Sequence, residues 1–288
     1  MPDLVFFMNR KEPCTVEEFL CQDCKLSKRQ LTKLKHIENG ITIQGKLVRS
    51  IDKIYAGQEI RLHFQDHKIL QPNANLKIDL LFEDEDLLVF HKPAGIPVHP
   101  SQRHYDDTLG NAFASQFPEL TFRPVNRLDK DTSGLVAVAK HAVSASYLHG
   151  NIKKIYYAIV TGDLPNSGVI NKPIDRKSNS VIERCIADSG KPAVTHFQVL
   201  QKTGKYYFLQ LILETGRTHQ IRVHMASIGC PLAGDALYGG CMEDINRQAL
   251  HCGEFLYLDK YHKYHKYHKI IAPIPEDMKL LLERTEET

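Results

Sequence analysis

Tryptophan is absent from the 288 residues, an absence that excludes no fold and no function. Other shortages say more. No apolar run approaches the length needed to cross a bilayer. The one near the start, Leu4 to Met8, is too short for the core of a signal peptide. Neither sign of charge is in excess: 37 Lys and Arg face 34 Asp and Glu, a net +3. That balance neither requires nor excludes nucleic acid, so any basic surface must be local. Cysteine is sparse and odd in number, seven scattered residues, which argues against a disulfide framework in a chain this long. Free thiols in a reducing cytoplasm are the simpler account. Cys21 and Cys24 form a Cys-x-x-Cys pair near Cys14, but no second Cys or His pair stands at zinc-finger spacing. They read as buried structural cysteines, and no metal is expected. What is present is ordinary globular composition, 42% apolar and 25% charged, in a length that suffices for one large core and a small extra domain.

The stretch that organises the chain is Arg123 to Lys140, RPVNRLDKDTSGLVAVAK. The polar turn Asp131-Thr132-Ser133-Gly134 is followed by an apolar run, Leu135 to Ala139, the pattern of a buried strand. Asp129 therefore stands just before a core strand, on a loop whose position the core fixes, where chains tend to carry reactive groups. Asp129 and Asp131 also suggest a hydrolase with paired carboxylates. Two aspartates so close at a turn are more often a hydrogen-bonded turn than an acid/base pair.

A second centre is Thr215-Gly216-Arg217-Thr218-His219-Gln220-Ile221-Arg222-Val223-His224. Ile221, Met225 and Ile228 fall at helical spacing, and Gly229 is a natural cap. A strand thus turns at Gly216 and enters a helix. Cations near a helix start are unfavourable. Arg217 and Arg222 therefore need an anion, which a phosphate or Asp129 would supply. His219 and His224 are five apart and do not share a helix face as zinc ligands would.

The first 66 residues read as a separate unit. Thr15-x-x-Glu18 and Ser27-x-x-Gln30 are capping-box patterns that start two short helices. The second places Leu31 and Leu34 on one face, with Lys28, Arg29, Lys33 and Lys35 around the rest. Strands follow at Ile41–Ile43 and Glu59–Phe64, divided by glycine turns. A lysine-rich helix face is usually a solvated face; its functional alternative is a grip on RNA phosphates. Residues 67–77 read as a polar linker, and 78–288 as the main domain, opening with two strands around the acidic turn Glu83 to Asp86. A stiff loop, His91 to Pro100, carries Lys92 and His99. A helix-like segment from His141 leads to a strand, Ile155 to Val160, on which Tyr156 and Tyr157 face opposite sides. Further strands are expected at Val181–Ala187, Ala193–Gln201 and Lys205–Glu214. The triplet Tyr261-His262-Lys263 occurs three times in succession and reads as a solvated loop, and a helix closes the chain near Glu283.

These segments, in this order, resemble the RluA-type pseudouridine synthases over almost the whole chain. The matching residues are Arg127-Leu128-Asp129-x-x-Thr132-Ser133-Gly134, the loop Lys92-Pro93-x-Gly95-x-x-Val98-His99, Lys154-x-Tyr156-x-Ala158, and Thr215 to His224. Two further matches are Gly234 to Gly239 and Arg247 to His251. Asn126 departs from the family, where His is common. The first unit is similar to the S4-type RNA-binding domain through Ser27-x-x-x-Leu31, Gly40-x-x-x-Gln44-Gly45-Lys46 and Gly57-Gln58-x-Ile60, with Gln44 where that family has Asn.

Periodicity alone supports an α+β class. The resemblance implies a mixed, mainly antiparallel sheet with flanking helices plus the small S4-like domain. It implies isomerisation of uridine to pseudouridine in structured RNA, with large-subunit ribosomal RNA expected ahead of tRNA, no cofactor, no membrane, and a monomer. A catalytically silent RNA-binding or ribosome-assembly factor is the remaining alternative. In the family pattern Asp129 is the catalytic carboxylate, Arg222 its partner and Tyr156 the active-site tyrosine. Arg127 is then free either to occupy the space a flipped uridine vacates or to hold phosphate. Arg217 and His219 are expected near the substrate, Lys92 and His99 either there or in equal measure in structural roles, and Lys28, Arg29 and Lys33 on RNA.

Overall fold

The computed structural model describes residues 3–65, 70–258 and 267–283. The N-terminal unit comprises β1 (Leu4–Phe7), β2 (Cys14–Thr15), α1 (Val16–Gln22), α2 (Lys28–Lys35), β3 (Ile41–Ile43), β4 (Lys46–Leu47), β5 (Lys53–Ile54) and β6 (Glu59–Leu62). Both expected caps form. Thr15 accepts from the Glu18 amide, and Ser27 and Gln30 make the reciprocal capping box. The helices pack Phe19, Leu20, Leu31 and Leu34 with Ile41, Ile54, Ile60 and Leu62. Cys14 and Cys24 are buried there, and burial pushes the Cys24 thiol up to about 12. Gln30 also donates to the Ala142 carbonyl at 2.6 Å, and Val143 joins this core, so the capping residue of α2 ties the unit to the main domain.

The main domain adds β7 (Asp79–Glu83), β8 (Leu87–Lys92), α3 (Leu109–Gln116), β9 (Ser133–Ala139), α4 (Ala142–Leu148), β10 (Ile152–Thr161), β11 (Ser167–Asn171), β12 (Ile174–Arg176) and β13 (Arg184–Ile186). After these come β14 (Val194–Thr203), β15 (Tyr206–Leu213), α5 (Gln220–Ala226), β16 (Leu250–Leu258), β17 (Tyr267–Ile271) and α6 (Glu276–Glu283). Nine strands form one sheet in the order β11-β14-β15-β10-β16-β9-β8-β7, with β17 also on β16. Among the described residues its pairings are antiparallel except β9 with β16. That parallel contact is brief, and it requires a glycine: a Cβ on Gly134 would stand 2.2 Å from the Cys252 carbonyl oxygen. Strand β9 is buried at every position, as its unbroken apolar run requires. The acidic stretch is a turn: Asp84 accepts from the amides of Asp86 and Leu87.

Three expectations are corrected. The strand expected at Val181–Ala187 shrinks to β13, because Ser180 turns the chain by accepting from the Ile182 and Glu183 amides. The later part of the expected linker is held by the main domain: Asn111 of α3 donates to the Gln71 carbonyl, and its own carbonyl accepts from the Asn73 amide. Two triplets of the Tyr-His-Lys repeat lie outside the described residues. The third, Tyr267 to Lys269, is not loop but part of β17. There His268 stacks on Tyr257 at 4.8 Å and Lys269 pairs with Glu254 at 2.8 Å. Cross-strand partners settle its conformation, and the triplet period does not.

Candidate active site

The site forms where the end of one segment meets the start of a helix. Residues 123–126 run back along β9: Val125 donates to the Ala137 carbonyl, and the Asn126 side chain bridges Ala137 and Leu135. Asn126 thus performs a backbone-pairing role in the motif. The chain then turns through Arg127 to Thr132, with the Thr132 amide on the Asp129 carbonyl at 3.1 Å, and enters β9. From the other side, β15 leads through Thr215–His219 into α5.

Gln220 holds that second turn. Its side-chain Oε1 accepts from Thr215 Oγ1 and the Arg217 amide, both at 2.9 Å, and its Nε2 donates to the Val194 carbonyl at 3.0 Å. His219, at the helix start, has a left-handed backbone with φ of 56°, an uncommon conformation that tends to persist where surrounding structure enforces it. His224 faces away. It bonds Thr195 Oγ1 and the Lys172 carbonyl, both at 2.9 Å, and so braces α5.

Arg222 is the electrostatic hub. Its Nε and Nη2 reach both oxygens of Asp235 at 2.7 Å, and its Nη1 reaches Asp129 Oδ2 at 3.1 Å. The guanidinium also lies 5.0 Å from the Tyr238 ring centroid. Asp235 is fully buried and Arg222 nearly so, whereas the Asp129 side chain is 27% exposed. Burial lowers the guanidinium pKa, but Asp235 and then Asp129 outweigh it, so the net direction is upward and the charge is fixed. One buried cation therefore joins a fully enclosed carboxylate to one that opens on the cleft.

His219 Nε2 stands 3.7 Å from the same Asp129 oxygen, and its Nδ1 bonds Tyr238 Oη at 2.8 Å. Tyr238 Oη also accepts from the Arg184 amide at 2.9 Å, so His219 is held between that tyrosine and Asp129. Burial lowers the His219 pKa despite Asp129, which favours the neutral ring. Among the described residues, the Arg222 and His219 contacts with Asp129 both use Oδ2.

Tyr156 is buried on β10, with Cys252 its cross-strand partner on β16. Burial, and next the Cys252 thiol, push its phenol well above the ordinary value, so the resting form is neutral. Tyr157 faces the other way, bonded to Glu254 at 2.7 Å and stacked on Phe208. Asp129, Arg222, Tyr156, Arg127, Arg217 and His219 line one open pocket, walled by Leu128, Leu213, Ile221 and Leu250. Apolar walls with a few polar side chains are the usual make-up of a small-molecule or base pocket. Arg127 and Arg217 are exposed at this pocket. Arg217 donates to the Pro192 carbonyl at 3.0 Å, so the anion expected for it is not Asp129.

The remaining expected residues lie elsewhere. Lys92 is fully buried and donates to the carbonyls of Pro93, Ile96 and Lys130 at 2.7–2.9 Å. Three carbonyls match the three N–H groups of an ammonium. Burial pushes its pKa down to about 7 against the pull of Asp131 and Asp129. Lys92 ties its loop to the residue after Asp129 and is not free to touch a substrate, so of its two expected roles it takes the structural one. His99 packs edge-on to Phe122, and burial followed by Arg127 lowers its pKa. Lys28, Arg29 and Lys33 project from α2, in the N-terminal unit. Asp131 does not line the pocket, and no group of three metal-ligating side chains converges among the described residues.

Residues 86–227 match the family model described as RNA pseudouridylate synthase. The chain is 37% identical over 266 residues to the ribosomal large subunit pseudouridine synthase D of Pseudomonas aeruginosa, spanning 84% of this chain and 82% of that one. It is 35% identical over 281 residues to the uncharacterized RNA pseudouridine synthase YjbO of Bacillus subtilis, spanning 93% and 98%. The chain belongs to the RluA-type RNA pseudouridine synthases. The solved structure of human RNA Pseudouridylate Synthase Domain Containing 1 covers 76% of this chain and 98% of its own, with a TM-score of 0.58 at 24% identity, a likeness of fold alone. The expected mixed, mainly antiparallel sheet is the observed one. The synthase also contains site residues to which the sequence analysis gave no role: Asp235, Gln220 and Tyr238. Asp235 had a signal in the Gly234-Asp235 segment, but its importance lies in burial, which a single charged letter does not reveal.

Proposed function

We infer that this pseudouridine synthase isomerises uridine in large-subunit ribosomal RNA and that Asp129 is its catalytic carboxylate. The observation that carries the assignment is the Asp129–Arg222–Asp235 array, which presents one orientable, partly exposed carboxylate to a pocket walled by Tyr156 and aliphatic side chains. The choice of RNA follows relatives named for the large ribosomal subunit.

The reaction breaks the N1–C1′ bond, turns the base, and joins C5 to C1′; the C5 proton is lost and N1 regains one, so the product has the mass of the substrate. A carboxylate serves either by attacking sugar or base, or by stabilising and deprotonating the sugar. Oδ1 of Asp129 is the acting atom in each case, with Oδ2 held by Arg222. The Tyr156 ring stacks on the flipped base. As a neutral phenol it acts as base only after passing its own proton on. Arg127 occupies the space the uridine vacates or holds phosphate, Arg217 binds phosphate, and His99 lies at the rim near Arg127. The N-terminal unit acts as an S4-like second grip on RNA through Lys28, Arg29 and Lys33. A ribosomal RNA substrate would be met in the cytoplasm. Among the described residues no helix is long and apolar enough to cross a membrane.

The test is a carbodiimide-stop map of pseudouridine in ribosomal and transfer RNA from cells lacking the protein, rescued by wild type or Asp129→Asn. Sites in large-subunit RNA that vanish and return only with wild type support the reading. Loss confined to tRNA changes the target; an unchanged map, once a messenger RNA map and removal of redundant synthases give the same result, favours the silent factor.

A further inference from the structure

Arg247 to Leu250 contacts the chain next to each of the two carboxylates that share Arg222. Arg247 Nη1 donates to the carbonyls of Asp131 at 3.3 Å, Gln248 at 3.1 Å and Leu250 at 3.4 Å. Gln248 Nε2 donates to Thr132 Oγ1 at 3.3 Å. Asp131 and Thr132 close the turn that carries Asp129. On the other side, the Ala249 amide donates to the Ala233 carbonyl at 2.8 Å. Gly234 packs so tightly that a Cβ there would stand 2.0 Å from the Arg247 carbonyl oxygen. Asp235 follows directly. A four-residue segment therefore touches both the turn that presents Asp129 and the turn that presents Asp235.

That segment is anchored to the last helix. Arg247 Nε and Nη2 reach the two oxygens of Asp277, at 2.6 and 2.8 Å, in the first turn of α6. Met278 and Leu281 of the same helix pack with Ile245, Ala249 and Ala233. A guanidinium–carboxylate fork fixes orientation as well as distance, so with Nε and Nη2 engaged the direction of Nη1 is set. The Asp277 side chain is 42% exposed, and a pair open to water on one side adds little stability. Its geometric consequence is larger than its energetic one.

We propose that Asp277 and Arg247 are positioning residues, through which α6 sets the Asp129 turn relative to Arg222. Neither lines the pocket. The proposal rests on the reading of Asp129 as the reacting carboxylate, and the experiment separates the two.

Uridine in a full-length large-subunit ribosomal RNA transcript is tritiated at C5, and release of tritium is followed for wild type, Asp129→Asn, Asp277→Ala, Asp277→Asn and Asp277→Glu. Melting temperatures are measured alongside, and kinetics are run well below all of them. Small misplacements of reacting groups weigh on turnover, so kcat of Asp277→Ala should fall at least about tenfold with KM within about twofold. Asp277→Glu, which keeps a forked acceptor, should recover part of the loss. A folded Asp277→Ala with wild-type kcat overturns the proposal, whatever its melting temperature; if that variant does not fold, the near-isosteric Asp277→Asn decides by the same criterion. Tritium release by Asp129→Asn, or none by wild type, would instead overturn the functional reading.

Discussion

The charges of the cleft and those of helix α2 are held in opposite ways. In the cleft, a nearly buried Arg222 is locked by a fully buried Asp235 and reaches Asp129 with its last nitrogen. On α2, Lys28, Arg29 and Lys33 stand in water around a helix whose inner face is fixed by Leu31 and Leu34. The first arrangement is intolerant of change because removal of one charge strands another in low dielectric. The second is tolerant, because each lysine already has water as a partner. Chemistry on a base requires the first kind of site; a grip along an RNA backbone is satisfied by the second.

The sharpest way to break the comparison is Asp129→Asn. Turnover should fall at least about 100-fold, the lower bound for removal of an acid/base group, while folding and RNA binding persist. Tritium release and filter binding measure the two halves of that statement. Asp235→Ala comes next. It leaves Arg222 without its enclosed partner, and breaking a buried pair costs about 3–5 kcal/mol of stability. Urea unfolding checks this. A loss below about 1 kcal/mol, the range of exposed pairs, would mean that Asp129 or water compensates and that the cleft resembles α2 more than its geometry implies.

Much of this architecture was legible in the residues. The caps at Thr15 and Ser27, the buried strand after Gly134, the helix through Ile221 and Met225, and the opposed faces of Tyr156 and Tyr157 all follow from local periodicity and turn chemistry. Elements whose form depends on distant partners were not. Helix α3 reads LGNAFASQ, with glycine and asparagine inside it. Gly110 is there because Leu70 and Phe122 press against it, and Asn111 because its side chain accepts from the amide of the capping residue Thr108 and donates to the Gln71 carbonyl. Strand β16 is buried on both faces for most of its length and so lacks alternation. The same limit applies within the site. The motifs bring Asp129, Arg222 and Tyr156 together, but only packing reveals that Asp235 is Arg222's two-oxygen partner and that Lys92 is spent on three carbonyls.

Acid should act on the enclosed side of the comparison. His251 is fully buried opposite Ser133, with Nδ1 on Ser133 Oγ at 2.9 Å, and burial pushes its pKa down to about 4 from 6.5. The unfolded chain then binds a proton that the folded one refuses between those values. The contribution is fully present above pH 6.5 and is lost as pH falls toward 4. It amounts to about 3 kcal/mol at about 1.4 kcal/mol per unit. Urea unfolding at pH 7.5 and 4.5 should show that loss in wild type and a flatter dependence in His251→Gln. An equal slope in both proteins would move the acid sensitivity to other buried histidines, such as His224.

The smallest effect is expected where the charges are solvated. The triple change Lys28→Gln, Arg29→Gln, Lys33→Gln removes three exposed cations from a helix whose packing face is untouched. Stability should move by no more than about 0.5 kcal/mol, as for other surface substitutions. If each group neutralises one phosphate, the slope of log affinity against log salt should become shallower by about 0.7–0.9 per group, so by about 2 to 3 in all. An unchanged slope with unchanged affinity would make this face an ordinary solvated one. It would leave Arg127 and Arg217, at the pocket itself, to carry the RNA backbone. A changed slope that appears only when α2 remains docked through Gln30 and Ala142 would instead show that the helix grips RNA because it is held in register with the cleft.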